Sequence, residues 1–594
     1  MRADRRNILL CVALYLAAIA VANPVLEMGT IDDWSYTHIA REFADTGRIG
    51  YNGWASAMLI PQILWSAVFL KLFGFSFLAV RLSTIVLGVF LIPVLYFLGR
   101  ESGLDPPFAL FGTLLCALSP LFLPIAASFM SDVPGFFLFA LCFYAGVRCW
   151  NATTTKACAG WALLVALTGE LSGLDRQPYW IAPLSFLPVI AWIQRGKKGA
   201  APWLGIAWLA TVLTTAYFEL WLQAKPYSAS DHSLDWWKRY SLRFIANHEL
   251  FLLLDLGLTA GLVLLPLLIG YVKPGFRAVT RRNAAIVLAG VAAAGAVAVK
   301  LPHHAVPSLG NVLTEYGILG ARVAALGVRP MILRPGPREL LTVLVLLACA
   351  GCAMALWKLR SPGLEQLRQC PIVPSLILGL VFTAIWLPAV LFRSLGTPAW
   401  DRYLISFFPL VAIPLLRFYQ THIGTVVSRL SWAVLTVFAV YGVATTHDAF
   451  AAGRARLTAA RALEQAGIPR TEISGGFEYD GWTQLETAGF VNDWKIDQPS
   501  GPSSFATCTG PRAARPWFFY EMPVVRARYF VVYSRLPELD DAPAAPVGYT
   551  TWLPPGRRQI LTQVVRGGGY AGCNDPIVHP QYHPQHPVSK GRSD

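Results

Sequence analysis

Charge is what this chain has little of. Only 14% of its 594 residues are Asp, Glu, Lys or Arg, against about a quarter in a soluble domain. Hydrophobic residues make up 55%, and mean hydropathy is +0.49. This deficit excludes an ordinary soluble domain and points to a polytopic membrane protein. Acids are the scarcer sign, 34 against 49 Lys and Arg. The bases stand in short clusters between apolar runs, so nucleic acid is not an expected partner. A Gly-rich phosphate loop, a nucleophile elbow and a zinc-protease motif are all missing. Cysteine is present at ten positions. Eight lie in or beside apolar runs, where a thiol is ordinary packing, and the Cys349–Cys352 CxxC is one of these pairs. Cys508 and Cys573 lie in the polar C-terminal part, where a disulfide would need an oxidising compartment.

What is there is a series of apolar runs. The basic start MRADRRN and the run Ile8 to Ala22 lack a clear small-residue cleavage site and read as an uncleaved first helix. Hydropathy gives about 13 spans, at 8–23, 77–98, 107–124, 133–150, 158–174, 180–194, 203–222, 250–272, 283–300, 339–357, 371–392, 403–420 and 430–446. Segment 58–73 is interrupted by Pro61 and Lys71 and reads as an interfacial or re-entrant helix. Clusters such as Arg5–Arg6, Lys197–Lys198 and Arg281–Arg282 fall on one set of loops. The positive-inside pattern then places the N-terminus in the cytoplasm. It places 24–57, 125–132, 223–249, 301–338, 393–402 and everything after about 447 outside. Long apolar runs stop at Asp448. Residues 454–468 have helical periodicity, ending at Gly467 before Pro469, and 515–522 and 527–534 read as strands. The expected organisation is a transmembrane domain over 1–446, a small α+β extracytoplasmic domain over 447–575 and a disordered tail over 576–594.

The residues that could carry chemistry are the few ions at the outer ends of the spans. Asp32 and Asp33 open IDDWSYTHIAREF just after the first span. A carboxylate near a low-dielectric boundary can act as a general base; an acid before a helix can equally be its N-cap. One of the two could cap while the other faces a site. Asp132, in SFMSDVPGF, is a second candidate, with capping by Ser131 or Asp132 the ordinary alternative. Arg176 and Arg402 could hold a phosphate at the membrane surface, because guanidinium offers permanent, planar donors. Their neighbours Asp175 and Asp401 are the ordinary ion-pair partners. Arg41, Arg48 and Lys225 are weaker candidates. Tyr36, Tyr403 and the loop Trp residues more often anchor a protein at the interface. His303–His304 and the tail histidines His579, His583 and His586 are a weak metal signal. The outer acids could also coordinate a divalent metal ion, the only cofactor in view.

Several of these segments resemble the membrane glycosyltransferases of the C-type (GT-C) fold, in the bacterial branch related to protein O-mannosyltransferases and aminoarabinose transferases (family 39-like). The matching residues are Asp32-Asp33-Trp34-Ser35-Tyr36-Thr37-His38-Ile39-Ala40-Arg41-Glu42, the stretch 61–88, SFMSDVPGFFLFAL at 128–141 and DRYLISFFPLVAI at 401–413. The resemblance covers roughly 1–420. It implies a sugar transferase that uses a polyprenyl-phosphate sugar donor on the outer face, with Asp32 the catalytic base. Asp33 is left as cap or organiser, Asp132 helps to organise the site, and Arg402 contacts the donor phosphate. Where relatives carry a basic residue this chain has Ser35, and a Lys-Pro pair after the first loop is absent. Arg41, Arg176 or Lys225 are the candidate replacements. GGFEYDGW at 475–482 resembles a C-terminal module of bacterial members, and acceptor binding is one expectation for it.

The functional expectation is inverting transfer of a sugar from a polyprenyl-phosphate donor to an extracytoplasmic lipid, glycan or protein, by a multi-pass protein of the inner (plasma) membrane. Without a nucleotide motif, a lipid-delivered donor is easier to accommodate than a cytosolic nucleotide sugar. The rivals are a transporter or flippase of lipid-linked sugars and an assembly scaffold. The former expects ions within several spans and internal repeats. Glu170 and Glu219 are the main intramembrane ions here, and no repeat is visible.

Overall fold

Apolar runs in hydrocarbon must satisfy their backbone groups internally, and a helix does so. The computed structural model describes residues 2–197, 199–228, 240–300, 304–318, 325–358, 370–395, 398–491, 508–509 and 516–573. Its helices in chain order are α1 (Arg2–Ala22), α2 (Asp33–Thr46), α3 (Ile60–Phe73), α4 (Phe77–Glu101), α5 (Pro106–Ala117), α6 (Phe122–Ala126), α7 (Asp132–Trp150), α8 (Thr155–Asp175) and α9 (Ile181–Gln194). Then follow α10 (Ala200–Gln223), α11 (Leu242–Val263), α12 (Leu265–Ala278), α13 (Arg281–Lys300), α14 (Pro335–Lys358), α15 (Val373–Ser394), α16 (Phe407–His422), α17 (Arg429–Gln465) and α18 (Phe477–Ala488). Among the described residues, ten helical segments are long and apolar enough to cross a membrane. The mostly helical, polytopic architecture expected from the sequence is borne out, with a small sheet region near the C-terminus.

Proline accounts for several differences in detail. The run 107–124 is split into α5 and α6 around Ser119–Pro120, and 180–194 forms the 14-residue α9. The run 250–272 is divided between α11 and α12, with Pro266 in the first turn of the latter. The run 283–300 falls on α13. Segment 58–73 is the short α3, with Pro61 in its first turn.

The largest difference is α17. The span 430–446 and the helix 454–468 are one helix of 37 residues, so the expected boundary at 447 lies inside it. At 1.5 Å per residue it is about 55 Å long, well beyond the roughly 30 Å of a hydrocarbon core. It packs against β7 (Val547–Trp552) and β8 (Pro555–Val565), with Trp552 stacked on His447 and donating its N–H to Asp448 near the helix's middle. It stops where the sequence places Gly467, at φ +84°. The sheet runs in the order β3 (Ile473–Ser474), β5 (Tyr529–Val532), β8, β6 (Leu539–Asp541), with β7 also on β8. Strand β5 falls within the expected 527–534. The expected strand at 515–522 is instead a 3-10 turn, Trp517–Tyr520. Pro516 and Pro523 flank it without ladder donors, and Phe518, Phe519 and Met522 are all buried. The disordered tail and His579, His583 and His586 lie outside the described residues, as does His303.

An aromatic core joins this C-terminal region to the segment after α1. Trp34, Phe77, Phe477, Trp482, Phe518 and Phe530 are buried in one cluster. Gly481 lies so close to Trp34 that a Cβ there would meet its indole at 2.8 Å.

The short strands β4 (Cys508–Thr509) and β9 (Gly572–Cys573) pair antiparallel, with the Cys508 backbone directly opposite that of Cys573. Such opposed Cα atoms lie about 4.5–5.5 Å apart, within disulfide range. If this region faces an oxidising compartment, both thiols of the native protein will resist alkylation until reduction. Alkylation of both without reductant, in protein isolated under thiol-trapping conditions, would contradict the bond.

Candidate active site

The chain turns into α2 through Ile31, a β-branched residue held at φ +58°. Asp33 staples this turn. Its carboxylate accepts from the Thr30 backbone N–H, from the Thr30 hydroxyl at 2.8 Å and from the Phe129 N–H at 3.1 Å. The Arg81 guanidinium lies 3.9 Å away. Burial pushes the Asp33 carboxyl up, against Arg81 and these donors. Geometry therefore supports the organiser role for Asp33 and gives it no open face for base chemistry. Neither acid caps α2 with its side chain. Ser131 makes no capping bond to α7 either. Ser76, Thr154 and Ser428 do cap their helices in the ordinary way.

Asp32 faces other elements. Its Oδ2 accepts from the Arg402 guanidinium at 3.0 Å, and its Oδ1 accepts from the Trp54 indole N–H at 3.0 Å. Side-chain exposures of 16% for Asp32 and 10% for Arg402 make this a largely desolvated pair. Arg176 binds Asp132, at the start of α7, in a short contact. The two ion pairs expected from sequence neighbours are thus exchanged for distant ones. Asp401 does not pair with Arg402 through its guanidinium. It accepts the backbone N–H groups of Val312, Leu313 and Arg402, at distances down to 2.6 Å, and so ties β1 (Leu313–Thr314) to the site. Asp175 is fully buried, and neither of its oxygens has a hydrogen-bond partner among the described residues.

One aromatic ring serves both arginines. Tyr403 has the Arg176 guanidinium 5.3 Å from its ring centre and that of Arg402 5.9 Å away. Tyr36, one helical turn after Asp32, feels Asp32, Arg402, Arg176 and Asp132 together. Burial first, and then Asp32, raise its hydroxyl's pKa. Six expected residues therefore converge: Asp32, Asp132, Tyr36, Arg176, Arg402 and Tyr403. Trp54 was not foreseen as a site residue; loop tryptophans read as interfacial anchors. Arg402 keeps a buried Nε with no partner among the described residues, and Asp132 keeps a buried Oδ2 in the same condition.

Beside this cluster is a cavity of about 140 Å³. Its lining combines the polar Arg176, Arg393, Tyr403 and Ser406 with the apolar Ile181, Trp386, Ala389 and Val390, and reaches the cluster through Arg176 and Tyr403 rather than through Asp32 or Arg402. Lys225 is not part of the cluster and lies over the Trp221 ring at 4.6 Å. Arg41 is not brought to it either, because it follows Tyr36 by five residues and so sits round the other side of α2. There it pairs with Glu486 at 3.0 Å and covers Phe75 at 4.7 Å. His304 pairs with Asp255 at 3.0 Å. Among the described residues no group of three His, Cys, Asp or Glu side chains is placed to hold a metal ion.

Residues 60–218 match the family model described as dolichyl-phosphate-mannose-protein mannosyltransferase. The resemblance read from 61–88 and 128–141 falls inside this segment and is borne out by it; Asp132 and Arg176 lie within it, Asp32 and Arg402 outside. No curated protein matches the chain. Among solved structures, ArnT from Cupriavidus metallidurans in the apo state is similar over 80% of this chain and 83% of its own, at 15% identity and a TM-score of 0.36. The same protein bound to undecaprenyl phosphate gives 78% and 81%, 14% identity and a TM-score of 0.35. The S. cerevisiae protein O-mannosyltransferase complex bound to its sugar donor gives 37% of this chain, 15% identity and a TM-score of 0.30. This chain spans 33% of that protein's length.

The far side of α2 carries a pH-sensitive contact. His38 meets the Trp482 ring edge-on at 5.8 Å, and its Nδ1 is buried without a partner among the described residues. Burial, helped by Arg41, holds its pKa down at about 4 against an ordinary 6.5. The unfolded chain binds the proton first as pH falls. Stability tied to His38 is therefore full above 6.5 and drains away between 6.5 and 4, by up to about 3 kcal/mol. Thermal unfolding in detergent across this window should fall less steeply for His38→Gln than for the wild type; parallel curves would contradict the assignment.

Proposed function

We propose that this chain is a membrane glycosyltransferase that moves a sugar from a polyprenyl-phosphate donor to an acceptor outside the membrane. The observation that carries the reading is the Asp32–Arg402 pair, a base candidate and a phosphate-binding candidate held at 3.0 Å across 370 residues of sequence. The family match over 60–218 supports the donor class, since its description names a polyprenyl-phosphate sugar. The cavity beside the cluster has a lining of the right kind for such a donor, since Arg176 and Arg393 share it with the apolar Ile181, Trp386, Ala389 and Val390.

The chemistry follows from these positions. Donor phosphate is drawn to Arg402 and Arg176, which offer planar charged donors in a largely water-free setting. Phosphate competes with Asp32 for Arg402, so donor binding loosens the carboxylate. Asp32 then takes the proton of an acceptor hydroxyl as that oxygen attacks the anomeric carbon. The carbon–oxygen bond to phosphate breaks, its electron pair stays on polyprenyl phosphate, and the sugar inverts. Asp132 holds Arg176, and Trp54 holds Asp32 through its indole N–H. Burial of Asp33 in the turn fixes the backbone from which Asp32 reaches Arg402 and Trp54. On this reading the N-terminus is cytoplasmic and the C-terminal region faces the acceptor's compartment.

Two substitutions test it. Asp32→Asn should lower release of free polyprenyl phosphate by about a thousandfold and leave the unfolding temperature within a few degrees of the wild type. Half-maximal activity in that variant would remove Asp32 as the base. Trp54→Phe keeps the ring and deletes the donor. It should cost about tenfold in kcat with little change in donor KM; a rise in donor KM alone would make Trp54 a binding residue instead.

A further inference from the structure

A second cavity, of about 260 Å³, lies on the far side of α2 from Asp32. Its walls come from the turn after α1, the start of α4, the far end of α17 and α18. Glu27, Phe75, Arg461, Glu464, Arg470 and Trp482 carry its character. Phe75 and Trp482 lie with their rings stacked, 5.8 Å between centres and 9° between planes. Phe75 is 43% exposed, whereas Trp482 is 8% exposed.

Four charged side chains line the cavity, two of each sign, and outside its lining Arg41 lies over Phe75 at 4.7 Å, paired with Glu486. Arg470 uses its Nε on the Thr483 hydroxyl at 2.8 Å and lies over Tyr479 at 4.5 Å. Glu464 accepts from the Tyr479 hydroxyl. Glu27 accepts from the Phe77 N–H at 3.0 Å. Each is fixed by one bond and retains further donors or acceptors. Arg461 is exposed, with no polar partner among the described residues. Balanced charge argues against a dedicated anion or cation site. The ring faces are taken up by each other and by Arg41, so what Phe75 offers the cavity is its exposed edge, and fixed donors and acceptors around that apolar edge suit a small ring that is polar at its rim and apolar elsewhere. A neutral saccharide is such a ligand. The volume lies just below the roughly 300–1,000 Å³ of drug-sized pockets and fits one or two sugar rings.

We propose that this cavity is a saccharide subsite, one that holds a neutral sugar unit of the acceptor while another part of the acceptor reaches Asp32. Its role rests on the transfer reading above; its affinity for saccharide does not. The C-terminal region would then select the acceptor, because Arg461, Glu464, Arg470 and Trp482 all belong to α17, α18 or the turn between them.

The test is calorimetric titration of the full-length protein in detergent with maltose, cellobiose and diacetylchitobiose, and separately with phosphoethanolamine and inorganic phosphate. At least one disaccharide should bind, and equally well to Asp32→Asn. Arg461→Ala and Glu464→Gln should each weaken that binding by about fivefold or more. The proposal is overturned if none of the three disaccharides binds, if neither substitution changes the affinity, or if phosphoethanolamine or phosphate binds with the same dependence on Arg461. Failure of the transfer reading would leave the saccharide titration of Asp32→Asn intact. Failure of the subsite would leave the loss of polyprenyl phosphate release in that variant intact.

Discussion

An ion at the rim of a hydrocarbon slab persists only beside its opposite. In this chain that constraint ties Asp32 to Arg402 and Asp132 to Arg176. The first pair links the segment after α1 to the turn before α16, and the second links the start of α7 to the end of α8. Neither arginine takes the acid next to it in sequence. Asp401 is already spent on backbone donors of 312–313 and of Arg402, which frees the Arg402 guanidinium to reach across the bundle. A desolvated ion pair gives modest net stability. What it does provide is a position: an acid and a guanidinium held largely apart from bulk water, where the proposed function has a donor phosphate displace the carboxylate.

The C-terminal region is part of that position. Trp54 donates to Asp32, and its ring lies 5.3 Å from Phe477 and 5.7 Å from Trp34. Phe477 opens α18, so the C-terminal region touches the candidate site through one layer of aromatic rings. The 37-residue α17 explains how. A helix long and apolar enough to cross a membrane and continue beyond it packs against the sheet, and His38 and Arg41 of α2, with Phe75 before α4, meet the C-terminal region from the other side.

Periodicity and charge made the helices legible, as well as the set of ions at one end of the bundle. Six of those candidates converge because a polytopic helix has few places where a charge can sit, so loop position alone narrows the choice. Trp54 stayed hidden because a loop tryptophan has the same composition signal whether it meets lipid or a carboxylate. The pairing of the ions was hidden as well: adjacency suggested Asp175–Arg176 and Asp401–Arg402, and only tertiary packing reveals the exchange. Arg41 lies away from the cluster for a simpler reason, five residues past Tyr36 being the other side of a helix. The strand expected at 515–522 failed because aromatic content there reflects core burial between two prolines rather than a ladder.

The most direct measurement is a structure of the protein with polyprenyl phosphate bound. The account predicts the phosphate within hydrogen-bond distance of Arg402 and Arg176, the prenyl chain along Trp386 and Val390, and the Arg402–Asp32 contact lengthened or broken. A phosphate bound elsewhere, with that ion pair intact, would contradict it.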